Sequence, residues 1–598
     1  MKRPYWVMIF AALLCLCAAC SSGGGGAGSS SDDDADDDQV DDDADDDSSD
    51  DDLDDDADDD VDDDIDDDVD DDTSDDDTAP YYGLQTPCDI TGDGPEYLLE
   101  EHYTDGGQMN VKVTVKTVDG AVVHVIDPVA LGAYGFGYHY LADLDGDGRC
   151  EVISQRQYID LNGSTVVTKG RVIVFDGPGF TVAYDTGWLN NEYVFAYPNL
   201  DITGDGRPDL LLSSRPIDDG HSGSLKAIDA ANGYDELWTI NGGNGEGLAL
   251  HGVNFSGAVG SACGDASGPD AFLLERYDLY DTNSPQWRAQ WIDRGGHAVG
   301  DFGPLDLRQA ALSSAGLMVR SPDDRTCAGF VAYPKADSSG SRFVLFDRGG
   351  ATLAQGTLAN ITAISGVVSM SLDGDELPDV VLWGSDAGGA PSLWVGPNSD
   401  NFALQQVASG LASGLYYPVA WTVEPWLAAA VDLRGHGEQE FAIVPFSTDV
   451  SGALHIDLYG TDLQPAGFYY DMPLPAGGLL TAGGWSLYLS PLADPALLAY
   501  ALTAEGSAPS TIHSAWAVFA GDHAAPLHQE DMPAGVTAFP CSTWDFDNDG
   551  RPEICELRQS TDTQGGQVRL YDTATNYAVV LAELGAAGHR LAIYGAWK

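Results

Sequence analysis

A nine-residue acidic loop recurs along this chain at a nearly constant interval. Its fullest copy runs Asp143-Leu144-Asp145-Gly146-Asp147-Gly148-Arg149-Cys150-Glu151. Asp201-Ile-Thr203-Gly-Asp205-Gly-Arg207-Pro-Asp209 and Asp545-Phe-Asp547-Asn-Asp549-Gly-Arg551-Pro-Glu553 repeat it, with side-chain oxygens at positions 1, 3, 5 and 9 and glycine at position 6. Alternate residues of a curled loop point inward together, and glycine permits the sharp turn. Carboxylates gathered this way repel one another unless a cation joins them. A hard ion such as calcium takes about six to eight oxygens at about 2.3–2.6 Å. The expected ligands are therefore these side chains, with the backbone carbonyls of Arg149, Arg207 and Arg551 at position 7.

Asp545 to Glu556 also fits EF-hand spacing. However, Pro552 falls inside that loop, and Ser154 and Leu212 hold the twelfth position of the other two copies. The shared pattern ends at position 9. A short apolar run follows each loop, as in Val152-Ile153, Leu210-Leu211-Leu212 and Val380-Val381-Leu382, and reads as a buried strand.

Weaker copies fill the gaps. Ser371, Asp373, Asp375 and Asp379 form one, with the Leu377 carbonyl at position 7. Asp89, Thr91 and Asp93, followed by Glu96, form another that is one residue short. Cys263-Gly-Asp265-Ala-Ser267-Gly-Pro-Asp270 is also shortened. Asp432-Leu-Arg434-Gly-His436-Gly-Glu-Gln-Glu440 sets basic residues where ligands belong, so Arg434 is expected to replace the ion there. Turns near Asp323 and Ala493 keep only the rhythm. From Asp89 to Asp545 the spacing averages 57 residues over eight intervals. Such a period marks a propeller, solenoid or array. Each unit reads as a strand, the acidic loop and three more strands, which is a propeller blade with the loop between its first and second strands. The final Arg590-Leu-Ala-Ile-Tyr-Gly-Ala-Trp597 is an extra strand, expected to close the ring on the first blade.

These loops and the strands after them, Asp209-Leu-Leu-Leu-Ser-Ser-Arg-Pro216 among them, resemble the FG-GAP or VCBS repeats of integrin-alpha-type β-propellers. The resemblance covers residues 81–598 and implies an all-β fold. It also implies seven or eight blades, against nine units in the sequence, and a domain that binds other molecules.

The N-terminus is a processing signal. Lys2 and Arg3 precede an apolar stretch, Tyr5 to Leu16, too short to span a bilayer. Leu16-Cys17-Ala18-Ala19-Cys20 resembles a bacterial lipoprotein cleavage box. That implies removal of residues 1–19, lipidation of Cys20 and an outer-membrane or cell-surface location. Within residues 20–80, eleven Asp triplets carry 33 of the 97 acidic groups. Such a segment forms no core; it self-repels and extends, reaching on the order of 200 Å at most. It reads as a stalk. Residues 78–598 hold 64 acidic against 24 Lys and Arg residues, a net charge of −40. That balance argues against nucleic acid and against anionic lipid, leaving the anchor as the membrane contact.

Six cysteines remain beyond Cys20, an even number. Cys541 and Cys555 bracket the last loop on facing strands. Cys88 with Cys150, and Cys263 with Cys327, are the tidy pairings among the 15 that six cysteines allow. No HExxH, P-loop or GxSxG signature is present. The function expected is a calcium-stabilised, monomeric surface module presenting loops to a protein or glycan ligand. The alternative is a calcium-dependent polysaccharide lyase whose residues converge from distant repeats.

Overall fold

The apolar run after each acidic loop forms a strand with both faces covered. In Asp209–Pro216 seven of the eight residues are buried, and Val152, Ile153 and Val380 are fully buried. Neighbouring strands alternate instead, as in Ser222–Asp229, whose side chains point by turns inward and to the rim. This contrast between central and flanking strands is that of stacked antiparallel sheets.

In the computed structural model the described residues are 84–598, apart from 163–164, 217–221, 245, 251–261, 266–267, 279–285, 307–315, 321–326, 336–339, 360, 371–378, 386–390, 398–403, 410–415, 420–431, 438–439, 446–451, 461, 463, 475–478, 483–485, 489–495, 505–511, 534, 550, 561–564 and 598. Residues 22–80, the signal segment and Cys20 lie outside the described residues.

All described regular structure is β-strand. Among the described residues the strands form antiparallel meanders, most of four strands, and the acidic loops at 143–151, 201–209 and 545–553 each join the first strand of a meander to the second. The meander around residues 143–151 is Phe136–Ala142, Glu151–Asn162, Thr165–Asp176 and Thr181–Asp185. The next is Glu192–Leu200, Asp209–Pro216, Ser222–Asp229 and Asp235–Asn244.

Among the described residues, apolar clusters join most successive meanders. Leu98 and Val113 meet Leu141 and Val152. Ile153 and Val172 meet Leu210 and Val194, and Leu211 meets Leu274. Trp291 meets Phe346, Phe330 meets Leu382, and Trp516 meets Ile554. The series returns to its start where Trp544, Val568 and Leu570 pack on Tyr97, Leu591 and Ile593. Polar clasps reinforce the joints: Gln157 Nε2 donates to the Val194 carbonyl and Ser213 Oγ to the Leu248 carbonyl. Successive four-stranded meanders whose last packs on the first make a β-propeller.

The chain ends complete it. Arg590–Tyr594 pairs antiparallel with Pro95–Asp105, adding an inner strand to the first meander as expected. Leu84–Thr86 pairs in parallel with Val536–Trp544 and antiparallel with Ala596–Trp597. The latter pairs in turn with Phe136–Ala142.

Cys88 and Cys150 form the expected disulfide, with Cα atoms 6.1 Å apart. Cys541 falls where the register slips between Pro540↔Glu556 and Ser542↔Cys555, so the backbone sets it beside Cys555. Its side chain, like those of Cys263 and Cys327, lies outside the described ones.

Candidate metal centre

The first side chain of each loop organises the turn. Asp143 accepts the N–H groups of Gly146 and Gly148 at 2.8 and 3.0 Å. Asp201 accepts those of Gly204, Asp205 and Gly206 at 2.5, 3.1 and 2.9 Å. Position 5 in turn accepts the N–H of position 7: Asp147 from Arg149, Asp205 from Arg207 and Asp549 from Arg551, at 2.9, 2.9 and 2.8 Å. Position 4 is left-handed in every described copy, at φ 86° in Gly92, 72° in Gly146, 78° in Gly204, 73° in Gly435 and 60° in Asn548.

Position 9 closes the loop from inside. Glu151 accepts the Leu144 N–H at 2.6 Å, Asp209 the Ile202 N–H at 2.7 Å and Glu553 the Phe546 N–H at 2.5 Å. Glu96 accepts the Ile90 N–H at 2.7 Å in the shortened first loop, which makes it that loop's closing carboxylate. The sequence pattern ended this copy at Glu96 but named only Asp89, Thr91 and Asp93 as its ligands, because the missing residue hides the register.

Asp143, Asp145 and Glu151 bring ligand oxygens within 4.8 Å of one another, and so do Asp545, Asp547 and Asp549. The 201–209 loop carries Asp201, Thr203, Asp205 and Asp209 in the same turn. Asp379 is buried at the head of its strand, whereas Ser371, Asp373, Asp375 and Leu377 lie outside the described residues.

Burial and crowding raise the position-9 carboxyls of Glu151, Asp209 and Glu553. Burial pushes the Glu151 carboxyl up, and Asp145, Asp143 and Asp176 push it further, to about 8 against the pull of the Leu144 N–H. Glu553 rises to about 8 through burial and through Asp547, Asp545 and Asp549. Burial also raises Asp209, with Asp229 adding to it. Asp176, Asp229 and Asp572 all come from the end of a third strand, which the loop pattern does not reveal. Asp176 and Asp572 face Asp145 and Asp547 respectively.

The 432–440 loop resolves the same problem with its own charge. Asp432 accepts the Gly437 N–H at 2.6 Å, so the turn is retained. Arg434, at position 3, reaches inward and donates Nε to Glu440 Oε1 at 2.6 Å, with Nη2 2.5 Å from the same oxygen. Glu440 is the position-9 carboxylate and only 2% exposed. A guanidinium thus stands where the other loops leave carboxylates facing one another, as the sequence predicted. The donor sets of the 143–151 and 545–553 loops converge as a calcium ion would need, and the 201–209 loop carries the same residue types in the same turn.

One further constellation was not foreseen. Glu100, His139 and Ser154 meet between the first two meanders. Glu100 contacts His139 Nδ1, and His139 Nε2 lies 3.0 Å from Ser154 Oγ. Arg156 Nε also donates to Ser154 at 3.0 Å, and Ser154 is fully buried. The order matches a serine-nucleophile relay, but the hydroxyl is sealed inside the packing and acts as a structural link.

No protein-family model matches the chain, and no curated protein matches it. Several solved structures are similar to it. The crystal structure of a eukaryotic initiation factor is 9% identical, covers 83% of this chain and 98% of its own, and superposes with a TM-score of 0.42. The Dos1 propeller is 11% identical over 74% of this chain and 94% of its own, at 0.32. The WD40 domain of SCAP from fission yeast is 10% identical over 72% and 89%, at 0.29. These scores carry no argument, and the propeller assignment stands on the chain's own strand pairing.

Proposed function

We propose that this protein is a calcium-binding surface lipoprotein with a nine-bladed propeller of FG-GAP type. In this reading Cys20 carries the lipid, the Asp-rich segment is a stalk, and the propeller binds a protein or glycan ligand at the outer face of the cell. Calcium sits in the loops at 143–151, 201–209 and 545–553, with 371–379 and 89–96 weaker. Its work is to hold the loops, not to react. Nine blades exceed the seven or eight that the family resemblance implied, and each repeat unit contributes one.

The observation that carries the calcium reading is Arg434. One loop of the series lacks the ligand side chains at positions 3 and 5, and there a built-in cation pairs with the buried position-9 carboxylate. The other loops keep that carboxylate and surround it with further acids. A buried carboxylate without a partner is costly and keeps its proton, as the raised Glu151 and Glu553 carboxyls do, whereas a cation from solution would let these loops ionise as Arg434 lets Glu440.

The test is calcium-titration calorimetry of the full chain, with thermal melting in calcium and in chelator. We expect three to five ions bound tightly enough to resolve and a higher melting temperature in calcium. An unchanged melting temperature with no resolved ions would make the loops plain turns. Binding to glycan arrays and surface proteins, compared in calcium and chelator, then tests the adhesive role. Loss of binding after chelation supports it, and no ligand in either condition removes it.

A further inference from the structure

We infer that Arg207 couples the cation sites of neighbouring blades, so that filling the 143–151 loop tightens the 201–209 loop and the reverse. The inference rests on the calcium reading above and deepens it.

Arg207 belongs to two loops at once. Its backbone is position 7 of its own loop, where its N–H donates to Asp205 Oδ1 at 2.9 Å and its carbonyl is the proposed ligand. Its side chain crosses to the preceding meander, where Nη1 donates to the Asp145 carbonyl at 2.8 Å. Asp145 is position 3 of that loop. The guanidinium lies flat over Gly146, so close that a Cβ there would stand 2.5 Å from Nε and 2.7 Å from Cδ. Glycine at position 4 thus serves two purposes: the left-handed turn, and room for an arginine from the next blade.

The contact recurs along the rim. Arg149 lies over Gly92, with Nε 3.2 Å from where a Cβ would be, and Arg294 lies over Gly204. The first joint is further tied by the Cys88–Cys150 disulfide and by the Cys150 N–H on the Asp89 carbonyl at 2.8 Å. In the 545–553 loop position 4 is Asn548, and the loop that follows it around the ring carries Pro95 in place of the arginine. At Gly435 nothing lies within 4 Å of where a Cβ would be, so there the left-handed turn alone accounts for glycine.

An ion in the 143–151 loop fixes Asp145. The Asp145 carbonyl then fixes the Arg207 side chain, and Arg207 is the residue whose own carbonyl faces the next ion. Order imposed at the first site need not be imposed again at the second, which is positive coupling without a change of fold. By linkage the effect is mutual.

The test is calorimetric calcium titration of the full chain. Each site is identified by the equivalent that its Asp→Ala variant removes. Asp145→Ala is expected to remove one ion and to weaken the site identified by Asp205→Ala by about fivefold or more. In an Arg207→Gln background the ion count stays the same, but Asp145→Ala changes the second site less than about twofold. Asp547→Ala, at a distant loop, leaves that site unchanged in both backgrounds. An unchanged melting temperature of Arg207→Gln in chelator shows that its fold is intact. Independent sites in the native chain, or coupling that survives Arg207→Gln, would overturn the inference. If Asp145→Ala removes no ion, the calcium reading itself falls and takes the inference with it.

Discussion

At the scale of single residues, position 9 decides what each loop needs. Glu151 and Glu553 are almost fully buried among other acids, whereas Glu440 is buried against Arg434. Arg434→Met should therefore destabilise the protein by about 3–5 kcal/mol, because one buried charge is left alone. Denaturant melts would show this as a lower midpoint in calcium and chelator alike. Arg434→Asp should instead make the same loss repairable by calcium, and a variant equally unstable in both conditions would count against a site there. Asp145→Ala and Asp547→Ala should each remove one bound ion and lower the melting temperature in calcium. At about millimolar calcium and a Kd of about 10⁻⁴–10⁻³ M, each site is worth about 0.4–1.4 kcal/mol. The ligand side chains were legible in the sequence because alternate spacing along one turn needs no tertiary knowledge. The Arg434 stand-in was legible for the same reason. Asp176, Asp572 and the reach of Arg207 were not, since strand pairing and blade packing bring them to the loops across many residues.

At the scale of elements, the closing strand Arg590–Tyr594 and the strands beside it enclose a buried acid–base cluster. Glu100 contacts His102 and His139. The Tyr594 hydroxyl lies 3.4 Å from Glu100 Oε1, and Arg590, Ser154 and Arg156 complete the surroundings. Burial would raise the Glu100 carboxyl, but the two imidazoles outweigh it and hold the group near 2. Burial would lower His102, but Glu100 outweighs it and holds the imidazole above its ordinary 6.5. The His102 contribution is therefore complete below pH 6.5 and lost as pH rises through its elevated value. That of Glu100 is complete above pH 4.5 and lost as pH falls towards about 2. In saturating calcium, so that the raised Glu151 and Glu553 carboxyls add no loss of their own, melting temperature scanned from pH 5 to 9 should decline on the alkaline side, and His102→Gln should flatten that decline. A decline that persists in the variant would place its origin elsewhere. The apolar runs announced the second strands, and the strand at 590–597 was legible as a spare. The partners of His102 and His139 were not, because single histidines in a strand carry no signal of what packs across the blade joint.

At the scale of the whole molecule, a ring assembled from meanders depends on its last joint. Leu591 and Ile593 are buried at 6% and 5% exposure against the final blade. Ending the chain at residue 589 removes about 3–6 kcal/mol of apolar burial, together with the strand that the first blade borrows. Such a truncation should melt well below the full chain and be cut rapidly in limited proteolysis. Equal resistance would mean that the ring holds without its clasp. The 57-residue rhythm made the ring legible from sequence alone, since a four-stranded unit buries its faces only by stacking on copies of itself. Leu84–Thr86 is held between the strand that ends at Trp544 and the chain's last strand, Ala596–Trp597. Any pull transmitted along the segment before residue 84 therefore arrives at the seam of the ring and not at its outer wall. If the segment before residue 84 is the stalk proposed above, tension along it would load the pairing that keeps the circle shut. The first element to yield would be the one that opens it.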